Sequence, residues 1–187
     1  DSDGRRVFNV WKQLLYEGTM FWYHFGADGY MDTGWFKDAD GNWYYLNQAS
    51  DGTQGTMKTG WFKDVDGNWY YLNPVSDGTR GAMKTGWFKD ADGNWYYLNS
   101  SGVMQTGWLK LGKTWYYLKG SGAMAEGWQK VSGAWYYLNP GSGSMKTGWL
   151  KLGKTWYYLS GSGAMRTGWQ KIGGTWYYLS RIHVSEP

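Results

Sequence analysis

Two tryptophans, a Tyr-Tyr pair and a methionine recur together along this chain, and these residue types build soft, π-lined surfaces rather than reactive ones. Gly-Trp pairs stand at Gly34-Trp35, Gly60-Trp61, Gly86-Trp87, Gly107-Trp108, Gly127-Trp128, Gly148-Trp149 and Gly168-Trp169. Each is followed by Trp-Tyr-Tyr-Leu, beginning at Trp43, Trp69, Trp95, Trp115, Trp135, Trp156 and Trp176. Rings brought together in this way can surround a quaternary ammonium. Such a cation has full charge but no N–H to donate, so it needs π faces and soft contacts. At about 0.5–2 kcal/mol per ring, three rings give roughly 2–5 kcal/mol. That is about millimolar affinity or weaker for one site. Repetition then matters, because a polymeric ligand engages several weak sites at once. The competing reading makes these rings the core of a thin β-stack, but two tryptophans in every unit exceed what a hairpin core needs.

Catalytic chemistry has little to stand on. The two histidines, His24 and His183, lie in different parts of the chain and have no Ser-His-Asp or metal-spaced partners. No catalytic residue and no metal ligand is assigned. Asp38-Ala39-Asp40-Gly41-Asn42 and its copies at 64–68 and 90–94 are similar to calcium loops, yet they lack the downstream Glu and enough oxygen ligands. They read as polar turns. With no Cys there is no disulfide and no thiol chemistry.

Composition points the same way. Sixteen Trp and 17 Tyr stand beside 6 Phe in 187 residues, where ordinary domains rely on Leu, Ala and Val. The net charge of +4 hints at an anionic partner. The lysines are spread over the units rather than gathered in a run, and solvated strand faces and turns explain them better. Stacking on single-stranded nucleic acid would want a continuous basic groove, and none is visible. No apolar run approaches the length of a membrane span. Asp1-Ser2-Asp3-Gly4 is not a signal peptide, so the expectation is a removed leader or a piece of a longer protein.

The elements that position the rings follow from a period of 26 residues in the first two units and 20 or 21 afterwards. Such a period indicates a stack of small units, none able to bury its own face. In residues 106–118 two β-prone segments flank Gly112-Lys113, a tight hairpin link. The earlier links are one residue longer. Alternation places Trp115 and Tyr117 on one face and Tyr116 and Leu118 on the other. One face should form the shared core and the other should line the gaps between hairpins. The inserts at 48–55 and 74–81 should project and reshape the gap they border. The expected organisation is a degenerate first repeat or cap at 1–30, seven repeats at 31–180, and a tail or closing strand at 181–187. Within the cap Trp11 and Trp22 stand for the two repeat tryptophans.

The pattern T-G-W-x-K-x-x-G-x-W-Y-Y-L-x-x-x-G-x-M resembles the choline-binding repeat of pneumococcal surface proteins and their phages, over residues 31 to 179. The resemblance implies an all-β solenoid of stacked hairpins and no enzyme activity. It implies a secreted protein held on the bacterial wall by phosphocholine of teichoic and lipoteichoic acids. No cofactor is implied beyond the ligand, choline or phosphocholine.

The family's site takes two aromatics from one hairpin, one from the next, and a Met. Carried over, that implies Trp108, Trp115, Tyr137 and Met124; Trp128, Trp135, Tyr158 and Met145; and Trp149, Trp156, Tyr178 and Met165. The junction before them offers Trp87, Trp95, Tyr117 and Met104. Across the inserts lie Trp35, Trp43, Tyr71 and Met57, then Trp61, Trp69, Tyr97 and Met83. A first gap would use Trp11, Trp22, Tyr45 and Met31. The second Tyr of each pair is chosen by alternation; the first Tyr is the alternative. Trp169 and Trp176 could complete a site only in a homodimer. A glucan-binding aromatic repeat is the competing function, and an adhesin for a host protein or a displacer of other wall proteins remains open.

Overall fold

The computed structural model describes residues 5–180. The closing strand expected at 181–187 lies outside them. The described residues are all β, with no helix. β1 (Val10–Tyr16) and β2 (Thr19–Phe25) form the first hairpin. β3 (Gly34–Lys37) pairs with β4 (Trp43–Leu46), β5 (Gly60–Lys63) with β6 (Trp69–Leu72), and β7 (Gly86–Lys89) with β8 (Trp95–Leu98). β9 (Gly107–Leu111) pairs with β10 (Thr114–Leu118), and β11 (Gly127–Val131) with β12 (Ala134–Leu138). β13 (Gly148–Leu152) pairs with β14 (Thr155–Leu159), and β15 (Gly168–Ile172) with β16 (Thr175–Leu179).

Turn chemistry sets two kinds of hairpin. The short links have Gly112 at φ 59° and Gly153 at φ 58° in the first central position, the backbone a type II′ turn demands. In the long links the Asp38 and Asn42 backbones bond to each other, and Asp40 accepts from the Asn42 N–H. Register is the same in both kinds. The Gly of Gly-Trp faces the Leu of Trp-Tyr-Tyr-Leu, as in Gly34↔Leu46 and Gly127↔Leu138. Trp faces the second Tyr, as in Trp35↔Tyr45 and Trp128↔Tyr137.

Those leucines are the core. Leu46, Leu72, Leu98, Leu118, Leu138 and Leu159 are each 0% exposed. The connector Met adds one extended residue beside each of them, as in Leu46↔Met57 and Leu138↔Met145.

Two compact units divide the chain, Asp1–Phe88 with Leu98–Met104, and Lys89–Tyr97 with Gln105–Pro187. Inside each, Met is the joint between hairpins. In the first unit the Met57, Met83 and Met104 N–H groups donate to the carbonyls of Trp22, Trp43 and Trp69, at 2.8, 2.7 and 2.8 Å. In the second, Met124, Met145 and Met165 donate to Trp95, Trp115 and Trp135 at 2.7, 2.7 and 2.8 Å. Each Met thus touches the Leu of its own hairpin and the Trp of the hairpin before. The side chain of Met124 lies against Gly143, where any Cβ would collide with its sulfur; Met145 lies in the same way on Gly163.

Candidate functional site

The stacking that joins hairpins also leaves gaps between them. In the second unit one gap is lined by Trp108, Trp115, Tyr136 and Met145, with Gly161 and Ser162 at its edge, and has a volume of about 340 Å³. β9 and β10 present the two indoles, whose planes cross at 88° with centroids 6.3 Å apart. Tyr136, from the next hairpin, stands 4.7 Å from Trp108. Three rings and a thioether therefore wall a box that opens to solvent, and Trp115 remains 37% exposed.

The arrangement repeats. Trp128 and Trp135 cross at 90° and 6.4 Å, with Tyr157 at 4.9 Å from Trp128. Beneath them Tyr137, Leu150 and Leu159 form a buried cluster on which Tyr157 and Met165 pack. Trp149 and Trp156 cross at 89° and 6.1 Å, with Tyr177 at 5.0 Å. That last gap, about 450 Å³, also borders Tyr178, Leu179 and Ser180. A lysine ammonium lies over a tryptophan ring in each: Lys110 over Trp115, Lys130 over Trp135 and Lys151 over Trp156, at 5.6, 5.8 and 5.4 Å. These rings already hold a cation.

In the first unit the gap of Trp35, Trp43, Tyr70 and Met83 measures about 430 Å³ and is edged by Ser100 and Ser101. Trp11, Trp22, Tyr44 and Met57 line another of about 490 Å³. Carboxylates anchor the rings here. The Trp11 indole donates to Asp38 and the Trp35 indole to Asp64, both at 2.8 Å. Tyr44 and Tyr70 donate their hydroxyls to Asp40 and Asp66, both at 2.7 Å. Burial first, and then the adjacent carboxylate, pushes Tyr44 and Tyr70 up to about 12. Partial burial would raise the Asp40 carboxyl, but bonds from Tyr44 and Asn42 outweigh it and hold the group below the usual range.

Trp108 with Trp115, Trp128 with Trp135, Trp149 with Trp156, Trp35 with Trp43 and Trp11 with Trp22 come together as expected, but, Tyr178 aside, a different Tyr and Met join them. Trp108 and Trp115 meet Tyr136 and Met145, not Tyr137 and Met124. Trp35 and Trp43 meet Tyr70 and Met83, not Tyr71 and Met57. Trp128 meets Tyr157 rather than Tyr158, and the N–H that donates to the Trp135 carbonyl is that of Met165, whereas Met145 donates to Trp115. Trp149 meets Tyr177, although Tyr178 also borders that gap; Met165 does not line it. In the first gap Tyr44 and Met57 replace Tyr45 and Met31. The reason is register. The second Tyr faces the Trp of its own hairpin, as Tyr137 does Trp128 at 5.2 Å, so it is spent before the next hairpin arrives. Each Met serves the gap one hairpin earlier than expected, because its N–H is the joint to the hairpin before. The sets Trp61, Trp69, Tyr97, Met83 and Trp87, Trp95, Tyr117, Met104 draw on both units.

Comparison with known proteins identifies the repeats and the fold. The choline-binding repeat family matches residues 18–54, 84–126, 105–147 and 125–167, more than half of the chain. A cell wall binding repeat family matches 59–74 and 167–181. No curated protein matches. Among solved structures, CbpJ of Streptococcus pneumoniae TIGR4 is 40% identical with a TM-score of 0.85, over 95% of this chain and 64% of CbpJ. Choline binding protein F of Streptococcus pneumoniae is 41% identical with a TM-score of 0.77, over 91% of this chain and 57% of that protein. It has also been solved in the presence of a peptidoglycan analogue. The choline-binding domain of CbpL, from the same species, is 31% identical with a TM-score of 0.65, over 96% and 86%. The chain thus spans less than two thirds of the length of CbpJ and choline binding protein F. Its all-β tandem hairpins are the fold of these solenoids, and the chain belongs to the choline-binding repeat family.

Proposed function

We propose that this module binds choline in the gaps between hairpins and so holds a protein, non-covalently and without catalysis, on the phosphocholine of wall teichoic and lipoteichoic acids. The observation that carries this reading is the recurring box: two indoles of one hairpin, the first Tyr of the next hairpin and the Met after it. A trimethylammonium needs π faces and a polarisable sulfur, and no acceptor. The partly exposed outer indole lets the rest of a polymer leave the box without steric conflict. The peptidoglycan-analogue complex of choline binding protein F supports a wall setting for such arrays. The reading places the protein outside the cell, on the wall surface.

The test is retention on choline-bearing walls followed by elution. Free choline at tens of millimolar, a concentration well above the roughly millimolar affinity of one box, should release the protein, and ethanolamine should not. Ethanolamine has the same charge but keeps three N–H donors that the rings cannot satisfy. Release by a glucan oligosaccharide and not by choline would move the module to sugar binding.

A further inference from the structure

We propose that the gap between the first two hairpins reads the phosphate of phosphocholine as well as its ammonium, with Arg80 as the anion contact. This rests on the choline reading above. The hydrophobic side of the gap is the common box, Trp11, Trp22, Tyr44 and Met57. Its other side is not common. The insert at 74–81, two hairpins downstream, reaches back and adds Ser76 and Arg80.

The same position is neutral elsewhere. Ser100 and Ser101 edge the gap of Trp35 and Trp43, and Gly161 and Ser162 edge that of Trp108 and Trp115. In the other insert the residue matching Arg80 is Gln54. Arg80 is exposed and, among the described residues, has no ion pair, hydrogen bond or ring contact of its own. A guanidinium presents a planar fork of donors that suits a phosphate.

The gap also has negative charge. Asp38 and Asp40 border it, and both are tied down, Asp38 by the Trp11 indole and Asp40 by the Tyr44 hydroxyl. A box with fixed carboxylates on the β3–β4 turn and a cation on the insert has both signs that a zwitterion needs. A ligand with its ammonium among the rings and its phosphate on Arg80 satisfies both. Bare choline leaves Arg80 unused.

The experiment uses the full chain labelled with ¹⁵N, reading the indole N–H signals of Trp11 and Trp22, with Trp108 and Trp115 as internal controls. Choline and phosphocholine are titrated separately, into wild type and Arg80→Gln. Phosphocholine should saturate Trp11 and Trp22 at about two- to fivefold lower concentration than choline, the range for an exposed ion pair. Arg80→Gln should remove that ratio while leaving choline affinity and the Trp108 and Trp115 responses unchanged. Equal affinities in wild type, or a ratio that survives the substitution, would overturn the proposal. So would silence at Trp11 and Trp22 while Trp108 and Trp115 respond. Silence at every indole would instead remove the choline reading itself. Lipid headgroups have the same zwitterion, and Arg80-dependent co-sedimentation with phosphatidylcholine vesicles would overturn the assignment to a wall polymer.

Discussion

The long-turn hairpins, β3 to β8, and the short-turn hairpins, β9 to β16, build the same box with opposite electrostatics. In the long-turn region the Trp35 indole is tied to Asp64 and the Tyr70 hydroxyl to Asp66, both carboxylates of turns. In the short-turn region the turns are Gly-Lys, Ser-Gly or Gly-Gly, and lysine ammoniums lie over Trp115, Trp135 and Trp156. The second position differs too: Phe62 and Phe88 pack on Tyr45 and Tyr71 at 4.5 Å, where the short-turn hairpins have Leu or Gln. What both regions share is the buried Leu, the Met joint and the crossed rings. The skeleton of the site is therefore apolar and backbone-made; charge is an addition that each region makes differently.

The comparison breaks if the shared skeleton is not what holds both regions. Leu72→Ala and Leu138→Ala remove fully buried side chains and should each cost about 2–5 kcal/mol in urea unfolding. A negligible cost at either would mean that region is held by something else. Next in size, Trp115→Ala deletes one wall of a box and should lower choline affinity of that gap about tenfold or more, counted as one lost site by calorimetry. An unchanged site count would remove Trp115 from binding.

Asp64→Asn sharpens the contrast. It replaces the charged acceptor of the Trp35 indole and should cost about 0.5–1.5 kcal/mol. The Trp35 indole signal should move and that of Trp108 should not.

The pH windows separate the regions again. The backbone and side-chain amides of Asn68, with the Tyr70 hydroxyl, hold the Asp66 carboxyl below its ordinary value. That contribution is present above about pH 4 and is lost as pH falls through the lowered value. Tyr70, raised to about 12 by burial and by Asp66, contributes fully below about pH 10. The contribution is lost as pH climbs toward 12. Tyr70→Phe should flatten the alkaline arm in a stability profile; a profile unaltered by Tyr70→Phe would contradict the pairing. The smallest effect is ionic. Choline at the Trp11 gap, beside Asp38 and Asp40, should weaken by about twofold on raising salt from 0.05 to about 0.5 M, while the gap of Trp108 stays flat or tightens.

The hairpins were legible because their causes are local. Alternation and a two-residue Gly-Lys link define β9 and β10 without reference to any neighbour, and Trp11, read as standing for a Gly-Trp ring in a degenerate copy, faces His24 as Trp35 faces Tyr45. The partner of each Trp pair was not legible. Alternation ranks Tyr136 against Tyr137 within one strand, but the gap lies between hairpins, and the hydrogen bond from the Met145 N–H to the Trp115 carbonyl sets that register. The insert at 74–81 shows the same limit. Its length and composition mark it as a projecting loop, but the gap it borders, that of Trp11 and Trp22, lies two hairpins back along the chain. Distances across a stack are not written in the spacing along the chain.

The most direct test of the central claim is a calorimetric titration of choline into the full chain, with glucose oligomers as the control ligand. The account predicts weak heats, about millimolar, at several sites per chain and none from the sugar. Sugar binding without choline heat would contradict it.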